Sequence, residues 1–138
     1  MTFSVDGIAL DDLLFGWYSD ERFLGLVPTT LNWMPDAEQA VVWDRFLDRS
    51  AERQVVPILC CPDDLDFDCS VVVVDTRISD DVIEWRAFGF DQTFDQKPDG
   101  IGSSVAWLPP ETVLRFDRAE FDAVAARFYE WTQTQKAG

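Results

Sequence analysis

Residues 69–88 contain two runs of strand-forming side chains around a polar turn: Cys-Ser-Val-Val-Val-Val-Asp-Thr-Arg-Ile-Ser-Asp-Asp-Val-Ile-Glu-Trp-Arg-Ala-Phe. Four consecutive valines are too β-branched to favour a helix, so we predict a buried strand over Cys69–Asp75. Residues Val82–Phe88 alternate apolar and polar side chains, as a half-buried strand does. The turn at Ser79-Asp80-Asp81 predicts that the two strands form an antiparallel hairpin.

Outside this hairpin, the sequence predicts a third strand and two helices that pack on the sheet. Residues Val55–Cys60 have the apolar pattern of a buried strand. Before them, Asp36 is predicted to cap a helix, with Gln39 completing a capping box. Val42, Trp43, Phe46 and Leu47 should face inward, whereas Asp44, Arg45, Asp48 and Arg49 should face outward.

The two ends of the chain add further elements. Residues 3–10 read as a short hairpin around Asp6-Gly7, and Asp11 is predicted to cap the helix that follows. Val113–Phe116 is predicted to be the last strand, and Asp117, with Glu120, should cap a final helix. Its core-facing stripe is predicted to be Phe121, Val124, Ala125, Phe128 and Trp131. We therefore expect an α+β domain: an antiparallel sheet with helices packed on one side.

Length and charge limit the classes of function. The chain has 138 residues, a net charge of −15 and no histidine, and we expect one domain spanning residues 1–138. The negative charge argues against nucleic acid as a partner. The missing histidine removes the commonest general base and metal ligand. No secretory signal or long apolar run is evident, so we expect a cytoplasmic protein that does not bind a membrane.

A concentration of acids lies between residues 62 and 99, which hold eleven acids and three bases, a net charge of −8. We predict that these acids bind a basic protein partner through charge complementarity. The predicted partner-binding residues are Asp63, Asp64, Asp66, Asp68, Asp91, Asp95 and Asp99. A solvated face that keeps the protein soluble is the alternative.

A metal site in the same segment is the less favoured interpretation. The spacing of Asp64, Asp66 and Asp68 is typical of the start of a calcium loop. However, Cys69 and Asp75 occupy the positions where such a loop has its glycine and glutamate. Zinc is disfavoured because Cys60 and Cys61 are adjacent and should point to opposite sides of a strand. We expect no metal and no cofactor.

The run Cys61-Pro62-Asp63-Asp64-Leu65-Asp66-Phe67-Asp68-Cys69 resembles a family of small bacterial proteins built around a Cys-Pro-x-Cys-Gly-x-x-Gly-Cys segment. Two later motifs add to the likeness. The family has a Val-x-Trp-x-x-Phe strand, which corresponds here to Ile83-Glu84-Trp85-Arg86-Ala87-Phe88. It also has a Phe-x-Phe-Asp-x-x-x-Phe/Tyr pattern, which corresponds to residues 114–121, with Leu114 at the first position. The resemblance covers roughly residues 54 to 128. Asp64, Leu65 and Asp68 replace one cysteine and two glycines of the family segment.

The resemblance implies no particular activity. Small acidic proteins of this kind are similar to immunity proteins, which are encoded beside secreted bacterial toxins. We therefore predict a non-enzymatic, immunity-type protein that binds and neutralises a cognate toxin domain. Two alternatives stay open: a metal- or thiol-dependent enzyme that uses Cys61, Cys69 and nearby carboxylates, and a homo-oligomeric structural module.

Overall fold

The computed structural model describes residues 4–5, 7–31, 34–62, 70–93, 97–109 and 113–137. Within these ranges the chain forms an α+β fold with an antiparallel sheet, as predicted. The elements in chain order are β1 (Ser4–Val5), β2 (Ile8–Ala9), α1 (Leu10–Tyr18), β3 (Val27–Pro28), α2 (Asp36–Leu47), β4 (Arg53–Cys60), β5 (Val71–Ile78), β6 (Val82–Asp91), β7 (Val105–Trp107), β8 (Leu114–Asp117) and α3 (Arg118–Ala137).

The main sheet has six strands, five of which follow the order β3-β4-β5-β6-β7. The sixth strand, β8, pairs with the first half of β6, whereas β7 pairs with its last three residues. The long strand β6 therefore has two short neighbours along the same edge. Strands β1 and β2 form the separate N-terminal hairpin that Asp6-Gly7 predicts.

The hairpin of β5 and β6 is confirmed and lies at the centre of the sheet. Its register places Ile78 opposite Ile83 and Val74 opposite Phe88. The backbone N–H of Ser79 donates to the carbonyl of Val82 at 3.0 Å and closes the turn. The β-branched run thus forms the strand that its stiffness at χ1 favours.

The helices cover one face of this sheet, as the prediction requires. Side chains of the central strands, among them Val72, Val74 and Phe88, form a buried cluster with residues from all three helices. The helical members are Leu10, Leu14, Trp43, Phe46, Ala125 and Phe128. Because Val71 and Val73 alternate with these strand residues, they point to the opposite face, where they pack with Cys60 and Ile101.

Two irregularities in pairing change which side chains share a face. Between Asp75 and Thr76 of β5, the partner residues on β6 jump from Ala87 to Trp85, so Arg86 is an extra residue in a β-bulge. The helix-covered face consequently receives Ile83 and Trp85 before the bulge, and Phe88 and Phe90 after it. A similar shift lies between Pro57 and Leu59 on β4.

The starts of the first two helices differ from the prediction. Helix α1 begins at Leu10 with Ala9 at the cap position. The carboxylate of Asp11 instead accepts a hydrogen bond from the N–H of Gly25 at 3.3 Å. Helix α2 has Pro35 at the N-cap position without a side-chain cap. The Gln39 amide donates to the Thr29 carbonyl at 2.8 Å and its Oε1 accepts from the Met34 N–H at 3.4 Å. These partners precede α2 or, for Asp11, follow α1, and the spacing within a helix does not reveal them.

The cap of the last helix is confirmed, but part of its stripe is wrong. The Asp117 carboxylate accepts a hydrogen bond from the N–H of Glu120 at 3.0 Å. Val124 is 53% exposed and Trp131 is 37% exposed, whereas Thr132 is fully buried. The Thr132 hydroxyl donates to the carbonyl of Tyr129 at 2.8 Å, which allows this polar residue into the core. The buried face of α3 therefore differs from the face that the hydrophobic pattern predicts.

Gly89 is required by the close approach of β7. A Cβ atom at this position would lie 2.6 Å from Cγ1 of Val105 and 2.8 Å from the carbonyl oxygen of Ala106. Both distances are shorter than van der Waals contact. The backbone of Ala106 cannot move away without breaking the β6–β7 pairing. Glycine at this strand position thus permits the neighbouring backbone to approach.

We predict that G89A lowers the free energy of unfolding by about 1–3 kcal/mol, the usual range for overpacking. Urea denaturation monitored by tryptophan fluorescence measures this change. The matched control is G16A, because Gly16 lies in α1 with no atom within 4 Å of the added Cβ. G16A should stabilise the protein by about 0.5–1 kcal/mol. Equal effects of the two variants would contradict the argument.

Candidate functional site

The antiparallel pairing brings two acidic connections to the same end of the sheet. Cys60 at the end of β4 pairs with Val71 at the start of β5, and the Cys61 N–H donates to the Ser70 carbonyl at 3.1 Å. Val72 in turn pairs with Phe90, so β6 also ends at this level. We call this the acidic end, defined by Cys61, Ser70 and Asp91.

Five of the seven predicted binding residues lie outside the described residues: Asp63, Asp64, Asp66, Asp68 and Asp95. The described flanks of their segments, however, place both connections at the acidic end. Together, residues 61–70 and 91–104 contain seven acids and one base, Lys97. Asp91 and Asp99 are the two predicted residues whose positions the structure gives.

Asp91 organises the loop that follows β6. Its Oδ1 accepts hydrogen bonds from the Thr93 hydroxyl at 2.7 Å and from the Gly102 N–H at 2.8 Å. Gly102 has a φ of +86°, a conformation that glycine adopts without strain. The half-buried carboxylate therefore joins the two stems of the loop, next to the hydrogen bond from Gln92 N–H to the Ser104 carbonyl at 2.7 Å.

Arg45 holds the same loop from the side of α2. It was predicted to face outward, but it is half-buried. Its Nη1 donates to the carbonyls of Val55, at 3.1 Å, and Ile101, and its Nη2 donates to the carbonyl of Asp99 at 2.7 Å. Arg45 thus ties the helix, the edge of β4 and the acidic loop together.

The charge of Arg45 complements that of the loop. Burial lowers the pKa of the Arg45 guanidinium, while the nearby carboxylates of Asp99 and Asp91 act in the opposite direction. Arginine nevertheless stays protonated across the ordinary pH range. Arg45 is therefore a fixed positive charge beneath the exposed residue Asp99.

The cysteines differ in exposure. Cys60 is fully buried among Val71, Val73 and Ile101, as a small apolar residue in the second face of the sheet. Cys61 is half-buried, and Cys69 lies outside the described residues. Among the residues that the structure describes, no group of three or more Cys, Asp or Glu side chains is arranged to hold a metal ion.

At the other end of the sheet, sequence reasoning missed a cleft of about 540 Å³. Four arginines line it: Arg49, Arg77, Arg86 and Arg118. We call this the arginine cleft. Arg77 and Glu84 are paired residues on the face away from the helices, and the bulge adds Arg86 beside them. The alternation of β6 signalled exposed side chains here, but the irregular register and the contribution of α3 were not visible in the sequence.

Comparisons of the chain with protein-family models, with curated proteins and with solved structures found no match. In the described part of the chain, no helix is long and apolar enough to cross a membrane. The site is therefore interpreted from its own geometry and charge.

We predict that R45Q loosens the acidic loop and destabilises the protein by about 2 kcal/mol, because carbonyls of Val55, Asp99 and Ile101 lose their donor. Hydrogen exchange at the loop amides, such as that of Gly102, should accelerate more than exchange in the core of β5. Mass spectrometry after deuterium labelling measures both rates.

The control for this variant is R127Q, since Arg127 is exposed on α3. This substitution should change stability by less than about 0.5 kcal/mol. Unchanged exchange in the loop of R45Q would show that Arg45 does not hold it.

Proposed function

We propose that this protein is an immunity-type inhibitor that binds a basic partner, a cognate bacterial toxin domain, through its acidic end. It works by occupying the basic surface of the partner and performs no catalysis. We place the protein in the cytoplasm, where such an inhibitor protects the producing cell. The observation that supports this proposal best is that the described ends of two acid-rich connections lie at the same end of the sheet.

The distance between the two ends of the sheet supports an interaction confined to the acidic end. Strands β4 and β5 each have eight residues and so extend over about 25 Å. That length exceeds the screening distance of about 8 Å at physiological ionic strength. A basic partner at the acidic end is therefore screened from the opposite end, where arginines and acids such as Asp80 and Asp81 are mixed.

The two described acids have different parts in this proposal. The exposed carboxylate of Asp99 is available to pair with a lysine or arginine of the partner. Asp91 already accepts hydrogen bonds from Thr93 and Gly102. Asp91 holds the loop in one shape, and this reduces the conformational entropy lost on binding. Its charge also adds to the negative field of the acidic end.

The principal alternative is an enzyme that uses Cys61, Cys69 and nearby carboxylates with a metal or as a thiol. Elemental analysis of the purified protein tests its metal-dependent form, because stoichiometric bound zinc or calcium would favour that alternative. The second alternative is a homo-oligomeric structural module. Light scattering coupled to size-exclusion chromatography distinguishes it from a monomer that awaits a partner.

The proposal predicts that reversing the charge of the acidic segment weakens the complex. Under this proposal the cognate toxin domain is encoded beside this protein, and we expect D64K/D66K/D68K to bind that purified domain at least tenfold more weakly than the original protein. The affinity of the variant should also depend less on salt, because fewer charge pairs form. Isothermal titration calorimetry at two salt concentrations measures both effects.

The matched control is D44K/E120K/E130K, which changes the net charge equally at exposed positions on α2 and α3. A loss of affinity confined to the acidic-segment variant supports the proposed interface. Equal losses in both variants would indicate a general charge effect, and unchanged affinity in the first would overturn the assignment.

A further inference from the structure

The arginine cleft lies where three parts of the chain meet. The face of the sheet away from the helices contributes Arg77 from β5 and Arg86 from β6. Arg118 is the first residue of α3. The connection from α2 to β4, at residues 48–52, forms the remaining wall. Guanidinium groups thus approach one space from different elements, as donors around a tetrahedral anion must.

Each acid of the exposed sheet face is paired with one arginine of the cleft lining and one arginine outside it. Asp75 is contacted by the Nε atoms of both Arg53, at 3.1 Å, and Arg77, at 3.3 Å. Glu84 Oε2 lies 3.5 Å from the Nε of Arg86 and 3.6 Å from that of Arg115. The cleft lining contains four arginines and three acids, Glu52, Asp80 and Glu84, so its own charge is positive by one.

The contacts of Arg77 and Arg86 leave much of each guanidinium available. In the described part of the chain, their ion pairs use Nε, so the two Nη groups of each are free to donate to a ligand. Their side chains are 39% and 48% exposed. Arg118 uses Nη1 to donate to the Ser79 carbonyl at 2.9 Å, which leaves its Nη2.

Arg49 has a supporting part at the rim. It donates to the carboxylate of Asp122 at 2.7 Å and to the carbonyls of Phe46 and Asp48 at 2.9 Å. This pairing neutralises Asp122, which also lies 3.8 Å from Arg118. Asp122 lies outside the lining. The acids of the lining besides Glu84 are Glu52 and Asp80, which are exposed at the rim, where solvent screens them.

The bulge in β6 is what places Arg86 in the cleft. Because Arg86 is the extra residue, Ala87 still pairs with Asp75 and Trp85 still enters the core. Bulges commonly redirect a side chain beside a binding site. Here the bulge adds a second free guanidinium next to Arg77 without removing a core residue.

From these contacts we propose that the arginine cleft is a binding site for a small phosphate-bearing molecule. Arg77 and Arg86 donate from the sheet and Arg118 donates from α3 to oxygens of the same phosphate group or of two adjacent ones. A volume of about 540 Å³ suits a small ligand. A long polyanion would extend into the negative field of the rest of the surface, whereas a small anion is shielded from it by screening.

Calorimetric titration with inorganic pyrophosphate at low salt tests this proposal. We expect the original protein to bind with a dissociation constant below about 1 mM, and R77Q/R86Q to bind at least tenfold more weakly. The single variant R86Q should show an intermediate loss. R127Q is the matched control, because Arg127 is exposed on α3 outside the cleft lining, and it should bind like the original protein.

Near-ultraviolet circular dichroism of each variant verifies that the fold is retained, and R86Q serves as the test if the double variant does not fold. Equal binding by the original protein and R86Q would overturn the proposal, as would no binding at millimolar pyrophosphate. Tighter binding of citrate than of pyrophosphate would overturn the assignment to phosphate. None of these results depends on the toxin partner, so the two proposals succeed or fail separately.

Discussion

The pairing of β5 with β6 is the constraint on which the rest of the molecule depends. Its register places Val74 opposite Phe88 and thereby gives one face of the sheet the side chains that three helices cover. A slip of one residue would exchange the two faces, since side chains alternate along a strand. The single bulge at Arg86 keeps both halves of β6 in phase with this core.

The same pairing distributes charge. In an antiparallel sheet, each hairpin connection begins and ends at one end of the sheet. The segment between β4 and β5 and the loop between β6 and β7 therefore both join their strands at the acidic end. Arg45 and Asp91 then fix the loop through its backbone carbonyls and amides. At the opposite end, β5, β6 and the start of α3 bring three arginines together among several acids. The arginines of a protein with a large net negative charge are thus gathered near one end of its sheet.

The sequence predicted much of the architecture because its strongest signals are local. Consecutive valines, an alternating strand and an Asp117 cap each specify structure over a few residues. Predictions failed where a side chain serves a distant part of the chain. Asp11 has suitable capping chemistry, but it accepts a hydrogen bond from Gly25, and the Gln39 side chain joins the Thr29 carbonyl to the Met34 N–H before its helix. A different failure is Thr132, which is buried in place of the more hydrophobic Trp131 because its hydroxyl bonds the nearby Tyr129 carbonyl.

For the candidate sites, composition alone established the excess of acids and the lack of histidine. The order of the residues showed that acids cluster between positions 62 and 99. Tertiary structure decided which charges are neighbours. The Arg45 side chain points inward, because a guanidinium has several donors and can bond the carbonyls of Val55, Asp99 and Ile101 at once. The tertiary structure also forms the arginine cleft from residues as far apart in sequence as Arg49 and Arg118. Such convergence depends on strand register and on a bulge, and these are set by the packing of the whole core rather than by any single segment.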